Sequence, residues 1–208
     1  MEIVKCAAAA IAAYLLGSVN MGILLSQILM RRDVRKGGSG NAGATNMART
    51  FGMGMGVATF VGDTLKTVAS MLLGFYLGGE TGRAIAGMGC LLGHCFPLFF
   101  GFRGGKGVSV AAAIALVLDW KLFLVLIAVF FFVFFVINRT VSLCSIICAV
   151  AFPICIFAMG LNTVPAVTVL GFFATALVIF MHRSNIQRLL NHTEPKFHAK
   201  RREENDRT

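Results

Sequence analysis

Residues 107–137 read GVSVAAAIALVLDWKLFLVLIAVFFFVFFVI, and this stretch decides how the chain is folded. It is interrupted once, at Asp119, Trp120 and Lys121, where a charged pair flanks a ring that favours membrane interfaces. A turn there makes two membrane helices. The first, 108–118, is shorter than the roughly 30 Å hydrocarbon core at about 1.5 Å per residue. Either residues 102–107 extend it, or it lies in a thinned or protein-lined region.

The composition also indicates a membrane protein. Of the 208 residues, 57% are hydrophobic, 23 are glycine and only 13% are charged. So few charges do not cover a soluble globule of this size. The net charge of +10 would otherwise suggest nucleic acid, but the sequence has no soluble domain to carry a basic face, so we expect no nucleic-acid partner.

Other apolar runs are long enough to cross a bilayer, which takes about 20 residues. They cover residues 4–29, 53–77, 84–100, 141–160 and 164–181. With the two helices around Asp119, they predict an all-α integral membrane protein of seven transmembrane helices, in one domain over residues 1–208. The six cysteines lie in or beside these runs without a zinc-binding spacing, so we expect packing roles, no metal and no cofactor.

The distribution of basic residues predicts the orientation. Seven passes place the termini on opposite sides, and one side then holds 15 of the 19 Lys and Arg residues, including those of the basic tail 182–208. Because basic residues are retained in the cytosol, the N-terminus is predicted outside and the C-terminus in the cytosol. A single long helix through Asp119 would put Arg103 and Arg139 on opposite sides, which also favours the turn.

Two glycine-rich segments on the cytosolic side are candidate phosphate sites. Residues 33–49 read DVRKGGSGNAGATNMAR, and residues 93–107 read GHCFPLFFGFRGGKG. Glycine lets backbone N–H groups approach an anion without a Cβ, and successive N–H groups form an anion-binding nest. The second segment opens a helix with Lys106 alongside, an arrangement suited to phosphate.

Two smaller clusters lie on the same side. In HRSNIQRLLNHTEPK, residues 182–196, a continuing helix would direct His182 and Asn185 to the same region, although a basic anchor for lipid headgroups explains the cluster equally well. In NRTVS, residues 138–142, Ser142 is most simply a helix N-cap.

Other patterns are weaker. Residues 38–43, GSGNAG, match GxGxxG, but no strand precedes them, so a dinucleotide fold is excluded. Gly107 follows Lys106 where a P-loop needs Ser or Thr. Asp63 and Lys66 lie three residues apart in an apolar helix, which predicts a structural ion pair.

These motifs together resemble the bacterial acyl-phosphate:glycerol-3-phosphate acyltransferase family. The resemblance rests on residues 38–46, on Gly93, His94 and Pro97, on residues 104–107, and on HRxNI with RLL in 182–190. It implies transfer of a fatty acyl group from acyl phosphate to the 1-hydroxyl of sn-glycerol 3-phosphate, giving lysophosphatidate for phospholipid biosynthesis. It also implies a bacterial cytoplasmic (inner) membrane location, contact with membrane lipid and an active site facing the cytosol.

The resemblance and the glycine-basic pattern give the candidate site residues. The catalytic candidates are Lys106, Ser142, His182 and Asn185. The candidates for binding substrate or phosphate are Ser39, Gly40, Asn41, Gly43, Thr45, Asn46, Arg49, His94, Arg103, Gly104, Gly105 and Gly107. The Gly104 to Gly107 amides would hold one phosphate or stabilise the oxyanion of the attacked carbonyl.

The general base is left open between His182, His94 and a phosphate oxygen of the substrate. We favour the phosphate, because the sequence shows no cytosolic carboxylate near either histidine to orient it, and His94 is more simply structural. An acyltransferase using acyl-CoA or acyl carrier protein would carry Asp five residues after His, where Phe99 and Gln187 stand. The non-enzyme alternative is a transporter or channel for an organic phosphate anion.

Overall fold

The computed structural model describes residues 2–137 and 139–197; Asn138 and the end of the predicted basic tail, 198–208, lie outside the described residues. The described residues form helices and connecting loops with no strand, which confirms the all-α prediction. The α-helices are α1 Glu2–Ser18, α2 Met21–Met30, α3 Ala44–Phe51, α4 Met53–Cys95, α5 Val108–Leu118, α6 Trp120–Phe132, α7 Val141–Ala158, α8 Pro165–Met181 and α9 Arg183–Leu190. Short 3-10 helices cover Val34–Lys36 and Leu98–Phe100, and a π-helical segment, Val133–Ile137, continues α6.

Four helical segments in the described residues are long and apolar enough to cross a membrane. They are Glu2–Met30, Met53–Phe100, Trp120–Ile137 and Val141–Ala158. A fifth is α8 taken together with α9, which are bent by 60° relative to each other.

The first predicted span, 4–29, is not one continuous helix. It breaks between Ser18 and Met21, and Asn20 begins α2 by accepting a hydrogen bond from the Ile23 amide on its Oδ1 (3.2 Å). The Asn20 Nδ2 donates to the His94 carbonyl at 3.4 Å. Asn20 therefore interrupts the run, because it caps a new helix and bonds a distant carbonyl. The apolar pattern alone predicts one continuous helix.

The long helix α4 reverses direction at Gly78 and Gly79, whose backbone is not helical. A methyl group at Gly74 would overlap the Gly82 carbonyl, although eight residues of straight helix would separate these positions by about 12 Å. Helix α4 therefore consists of two antiparallel arms, one on each side of this reversal. Gly79 has a φ of +58°, which glycine adopts without the strain that a Cβ imposes.

The turn predicted at Asp119 is present. Asp119 has extended backbone, and its Oδ1 accepts a hydrogen bond from the Lys121 amide (2.6 Å) at the start of α6. Residues 102–107 are not helical, so they do not lengthen the 11-residue α5. Helix α5 instead buries Ser109, Val110 and residues 113–115 against neighbouring helices. Of the two alternatives for this short helix, the protein-lined one agrees with the structure.

The apolar core joins six of these helices and includes Ala13 of α1. Its buried side chains include Leu91 of α4, Ile114 of α5, Leu122 of α6, Phe152 of α7 and Leu170 of α8. A second, smaller cluster of Ile23, Val34, Ala42 and Met47 anchors the loop between α2 and α3. Phe100 of the second glycine-rich segment packs against this smaller cluster.

Candidate active site

One cavity of about 900 Å³ opens where these loops and helix ends meet. Its charged lining residues are Arg49, Lys106, Arg188 and Glu194. Its apolar wall is formed by Phe60, Val108, Ala112, Ile127, Phe130, Phe131 and Val141. The cavity therefore combines three basic side chains with an apolar surface, which suits a ligand with an anionic head and a hydrocarbon portion.

Most of the predicted site residues line this cavity. Those that do are Ser39, Asn41, Gly43, Thr45, Asn46, Arg49, His94, Lys106, Ser142, His182 and Asn185. They come from four separate parts of the sequence, so the fold brings together clusters that the sequence predicts one by one.

Asn46 shapes the first glycine-rich loop. Its Oδ1 accepts from the Ser39 amide (2.8 Å), and its Nδ2 lies within 3.1 Å of the carbonyl oxygens of Val34, Gly37 and Asn41. The side chain is almost fully buried. These bonds fix the backbone that presents Ser39 to the cavity.

Lys106 lies beside α9, where its Nζ donates to Asn185 Oδ1 at 2.5 Å. Burial lowers the pKa of Lys106 to about 8, against the opposing effect of the Glu194 carboxylate. Lys106 is therefore an ammonium at neutral pH but titrates close to it.

Glu194 is a site residue that the sequence prediction missed. Its Oε1 accepts from Ser142 Oγ (2.8 Å) and from Asn185 Nδ2 (2.6 Å), and its Oε2 accepts from Arg188 Nε (2.6 Å). Burial alone would raise the pKa of Glu194, but these hydrogen bonds and the Arg188 charge lower it below its usual value. The only sequence signal was an isolated acid in a basic segment.

The prediction that Ser142 is a helix N-cap is wrong. Thr140 occupies the N-cap position of α7 without a side-chain capping bond, and Ser142 lies inside the first turn. The Ser142 hydroxyl donates to Glu194 instead. A carboxylate 52 residues away in the sequence thus determines its orientation.

His182 occupies the bend between α8 and α9, so the helix does not continue through it as predicted. Its Nδ1 lies 2.8 Å from the Val178 carbonyl oxygen. Because a carbonyl oxygen only accepts, Nδ1 carries a proton, and Nε2 of the neutral ring is an acceptor. His182 and Asn185 still line the same cavity despite the bend.

Five predicted binding residues do not line the cavity: Gly40, Arg103, Gly104, Gly105 and Gly107. The Gly104 and Gly105 amides donate to the carbonyl oxygens of Cys95 and His94, both at 3.1 Å, so the expectation that these two amides hold a phosphate is corrected. Arg103 is exposed to solvent.

Arg35, which was not among the predicted site residues, links the two glycine-rich segments. It forms an ion pair with Asp33 at 2.8 Å. Its Nη1 donates to the carbonyl oxygens of Phe100 (2.8 Å) and Arg103 (3.1 Å). The first segment is therefore fixed against the second by a side chain outside the cavity lining.

The predicted Asp63 and Lys66 pair is confirmed, with 2.8 Å between Oδ1 and Nζ. The sequence showed no carboxylate near His94, but His94 Nδ1 lies 3.5 Å from Asp63 Oδ1. Helix α4 brings this acid to the histidine only because its two arms are antiparallel. Among the described residues, no three His, Cys, Asp or Glu side chains are arranged to hold a metal ion.

A family model described as glycerol-3-phosphate acyltransferase matches residues 7–192. A glycerol-3-phosphate acyltransferase of Bradyrhizobium sp. is 40% identical over 93% of this chain and 96% of its own length. One of Syntrophomonas wolfei is 39% identical over 91% of this chain and 96% of its own length.

Two crystal structures of PlsY (YgiH), an integral membrane glycerol 3-phosphate acyltransferase, have the same fold. The glycerol 3-phosphate form matches with a TM-score of 0.86 and 35% identity over 93% of this chain and 96% of PlsY. The lysophosphatidic acid form matches with a TM-score of 0.84 and 33% identity, over 93% and 95% of the two chains. The chain is therefore an integral membrane protein and belongs to the glycerol-3-phosphate acyltransferase family.

Proposed function

We propose that this protein transfers a fatty acyl group from acyl phosphate to the 1-hydroxyl of sn-glycerol 3-phosphate, forming lysophosphatidate and inorganic phosphate for phospholipid biosynthesis. Transfer to glycerol 3-phosphate follows from the family and from the two ligand forms of the PlsY neighbour. The observation that carries the proposal is the single cavity in which Arg49, Lys106 and Arg188 face an apolar wall.

Acyl phosphate as donor is supported by the absence of other acyl-transfer machinery among the described cavity residues. Neither cavity histidine is followed by an acid five residues later, the pattern expected for an acyl-CoA or acyl-carrier-protein enzyme. Acyl phosphate is a mixed anhydride, so the glycerol oxygen attacks the acyl carbon, the bond from that carbon to the phosphate oxygen breaks, and phosphate leaves. No covalent acyl-enzyme is needed.

The roles proposed for the side chains follow their positions. Arg49, Lys106 and Arg188 bind the phosphates of the two substrates, with Ser39 and Thr45 contributing from the first glycine-rich loop. Glu194 holds Ser142 and Asn185, which complete the charged, polar end of the cavity. The acyl chain lies along the part of the apolar wall that α5 and α6 form.

The proton of the attacking hydroxyl passes to a substrate phosphate oxygen, with His182 Nε2 as an auxiliary acceptor. No described carboxylate hydrogen-bonds to His182, whose Nδ1 is used by a backbone carbonyl. His182→Ala is therefore expected to reduce kcat by about 10- to 100-fold without abolishing turnover. Steady-state rates of the purified variant check this; complete, pH-independent loss in folded protein would instead require an obligatory protein base.

The pH dependence should follow Lys106. Below its pKa of about 8 the ammonium attracts phosphate, and above it the charge is lost, so kcat/KM for glycerol 3-phosphate should fall as pH rises through about 8. In Lys106→Arg the charge persists, because the pKa of guanidinium exceeds about 12. In initial-rate measurements, kcat/KM of that variant should not fall as pH rises through about 8. The same pH profile in wild type and Lys106→Arg would show that Lys106 does not titrate in this range.

The proposed topology is seven membrane crossings, with the N-terminus outside and residues 1–208 forming one domain. The reversal of α4 at Gly79 and the turn at Asp119 support it. The concentration of Lys and Arg residues on the predicted cytosolic side supports it as well. The proposed location is the bacterial cytoplasmic membrane, with the cavity facing the cytosol. In a cysteine-free variant, a single cysteine at Glu80 should react with an impermeant thiol reagent in spheroplasts. A single cysteine at Arg139 should react with it in inverted vesicles instead.

The activity is tested by incubating purified protein with glycerol 3-phosphate and synthetic acyl phosphate, and measuring phosphate release and lysophosphatidate. We expect both products in equal amounts. Product with acyl-CoA but none with acyl phosphate would overturn the donor assignment. No product with either donor, but flux of glycerol 3-phosphate into proteoliposomes, would identify an organic-anion transporter.

A further inference from the structure

A buried polar network adjoins the cavity and reaches it through Ser109 and His94, of which only His94 is among the candidate binding residues. It centres on Asp63 and Lys66 of α4, whose side chains are 0% and 8% exposed. Ser109 Oγ donates to Asp63 Oδ2 at 2.9 Å. Ionised groups inside apolar helices are unfavourable and usually have a function in membrane proteins.

The hydrogen bonds of Lys66 assign the proton on His94. Lys66 Nζ lies 3.1 Å from the Gly17 carbonyl oxygen, 3.0 Å from that of Val19 and 3.1 Å from His94 Nδ1. An ammonium has three N–H donors and no acceptor, so a hydrogen bond with it can only be accepted by the partner atom. Nδ1 of His94 is therefore the acceptor, and the proton of the neutral ring lies on Nε2.

The alternative tautomer fits less well. With a proton on Nδ1, the ring would donate to Asp63 Oδ1 at 3.5 Å, which is long for a hydrogen bond. It would also direct an N–H toward the Lys66 ammonium. Asp63 Oδ1 forms its ion pair with Lys66 Nζ at 2.8 Å. Asp63 thus holds Lys66 in place.

The other edge of the His94 ring reaches the site. His94 lines the cavity, and its Nε2 lies against Gly105, where a Cβ would overlap it. Gly105 therefore leaves space for the ring edge next to Lys106. The two cavity histidines have opposite hydrogen-bonding roles at Nε2, which accepts in His182 and donates in His94.

We propose that Lys66, held by Asp63, fixes His94 as the Nε2–H tautomer, so that His94 donates a hydrogen bond to a negatively charged substrate oxygen. His94 is then excluded as general base. Asp63 and Lys66 are positioning residues that do not contact substrate. Only the identity of the oxygen rests on the proposed function; the tautomer does not.

The tautomer is measured by nitrogen NMR of the full chain labelled with ¹⁵N-histidine in detergent. His94→Gln identifies the His94 signals among the 4 histidines by subtraction. We expect Nδ1 to have the shift of an unprotonated nitrogen and Nε2 that of a protonated one. The reverse assignment would overturn the proposal. The measurement needs no turnover, so its failure is distinguishable from failure of the proposed reaction.

The charge-balanced double variant Asp63→Asn, Lys66→Met tests the origin of the tautomer. We expect its His94 signals to shift toward a mixture of both tautomers. Thr64→Ala is the matched control on the same helix, because its hydroxyl bonds only the Phe60 carbonyl (2.9 Å), and it should leave the spectrum unchanged. An unaltered His94 tautomer in the double variant would show that Lys66 does not set it.

Two single variants test the donor role and do not require the buried pair to be removed. The amide nitrogen of Gln reproduces a donor near Nε2, whereas that of Asn lies near Nδ1. We expect His94→Gln to remain within about tenfold of wild type in kcat/KM and His94→Asn to lose about 100-fold or more. A rise in KM would show that His94 donates to an oxygen of the bound phosphate. A fall in kcat would show that it donates to the developing oxyanion. Equal losses in both variants would overturn the donor role.

Discussion

Replacing Lys106 by Met is expected to lower kcat/KM by about 100- to 1,000-fold, the range observed when one preorganised electrostatic donor is removed from an active site. Lys106 is the cation that Asn185 holds at 2.5 Å, and it faces a cavity proposed to bind two phosphates. Met keeps much of the side-chain volume but none of the charge. Phosphate release from acyl phosphate, measured at saturating and limiting glycerol 3-phosphate, gives the effect.

Lys121→Met is the matched control for this variant. Lys121 is exposed beside Trp120 at the start of α6, away from the cavity lining. Its removal should leave both kinetic constants near wild type. A Lys106→Met variant within tenfold of wild type would show that Arg49 and Arg188 suffice to bind the phosphates.

Glu194→Ala is expected to reduce kcat by about 100-fold in protein that remains folded, although Glu194 is not proposed to touch substrate. The change removes the acceptor of Ser142, Asn185 and Arg188 together. The buried donors Ser142 and Asn185 each lose an ionised acceptor, which is unfavourable by roughly 1–3 kcal/mol, so these two side chains reorient. Asn185 then no longer holds Lys106. Rates and thermal unfolding of the same preparation separate loss of activity from loss of fold.

Glu80→Ala provides the comparison at a second acid. Glu80 pairs with Arg83 one turn away, and its side chain is 41% exposed, so this ion pair contributes little. Its removal should change neither rate nor melting temperature measurably. Glu194→Gln should fall between wild type and Ala, because its amide oxygen can accept one or two bonds but its amide nitrogen cannot accept from Arg188. Full activity in Glu194→Ala would contradict the organising role of the carboxylate.

Much of the fold could be predicted from local sequence. Apolar runs define most helices, because a membrane helix must satisfy its backbone internally and face lipid over many residues. The interruption at Asp119 was also readable, since a charged pair around a tryptophan has a local signature. The break at Asn20 was not, because a polar side chain in an apolar run gives no sign that it caps a new helix.

The candidate site was less predictable, because long-range contacts assign the hydrogen bonds. The residue types of the glycine-rich loops indicated an anion site, and most of them do line the cavity. However, the Gly104 and Gly105 amides bond the end of α4, and Ser142 is oriented by Glu194. Neither partner can be inferred from spacing. Both depend on how distant helix ends meet, which sequence periodicity does not encode.

The position of Glu194 has a consequence for biosynthesis. It follows α1 to α9 in the chain, yet it holds side chains from α7 and α9 in one arrangement. Since ribosomes make the chain from its N-terminus, the earlier helices can enter the bilayer before Glu194 has been translated. A chain made only as far as α9 therefore still lacks the carboxylate that orders Ser142 and Asn185 at the polar end of the cavity.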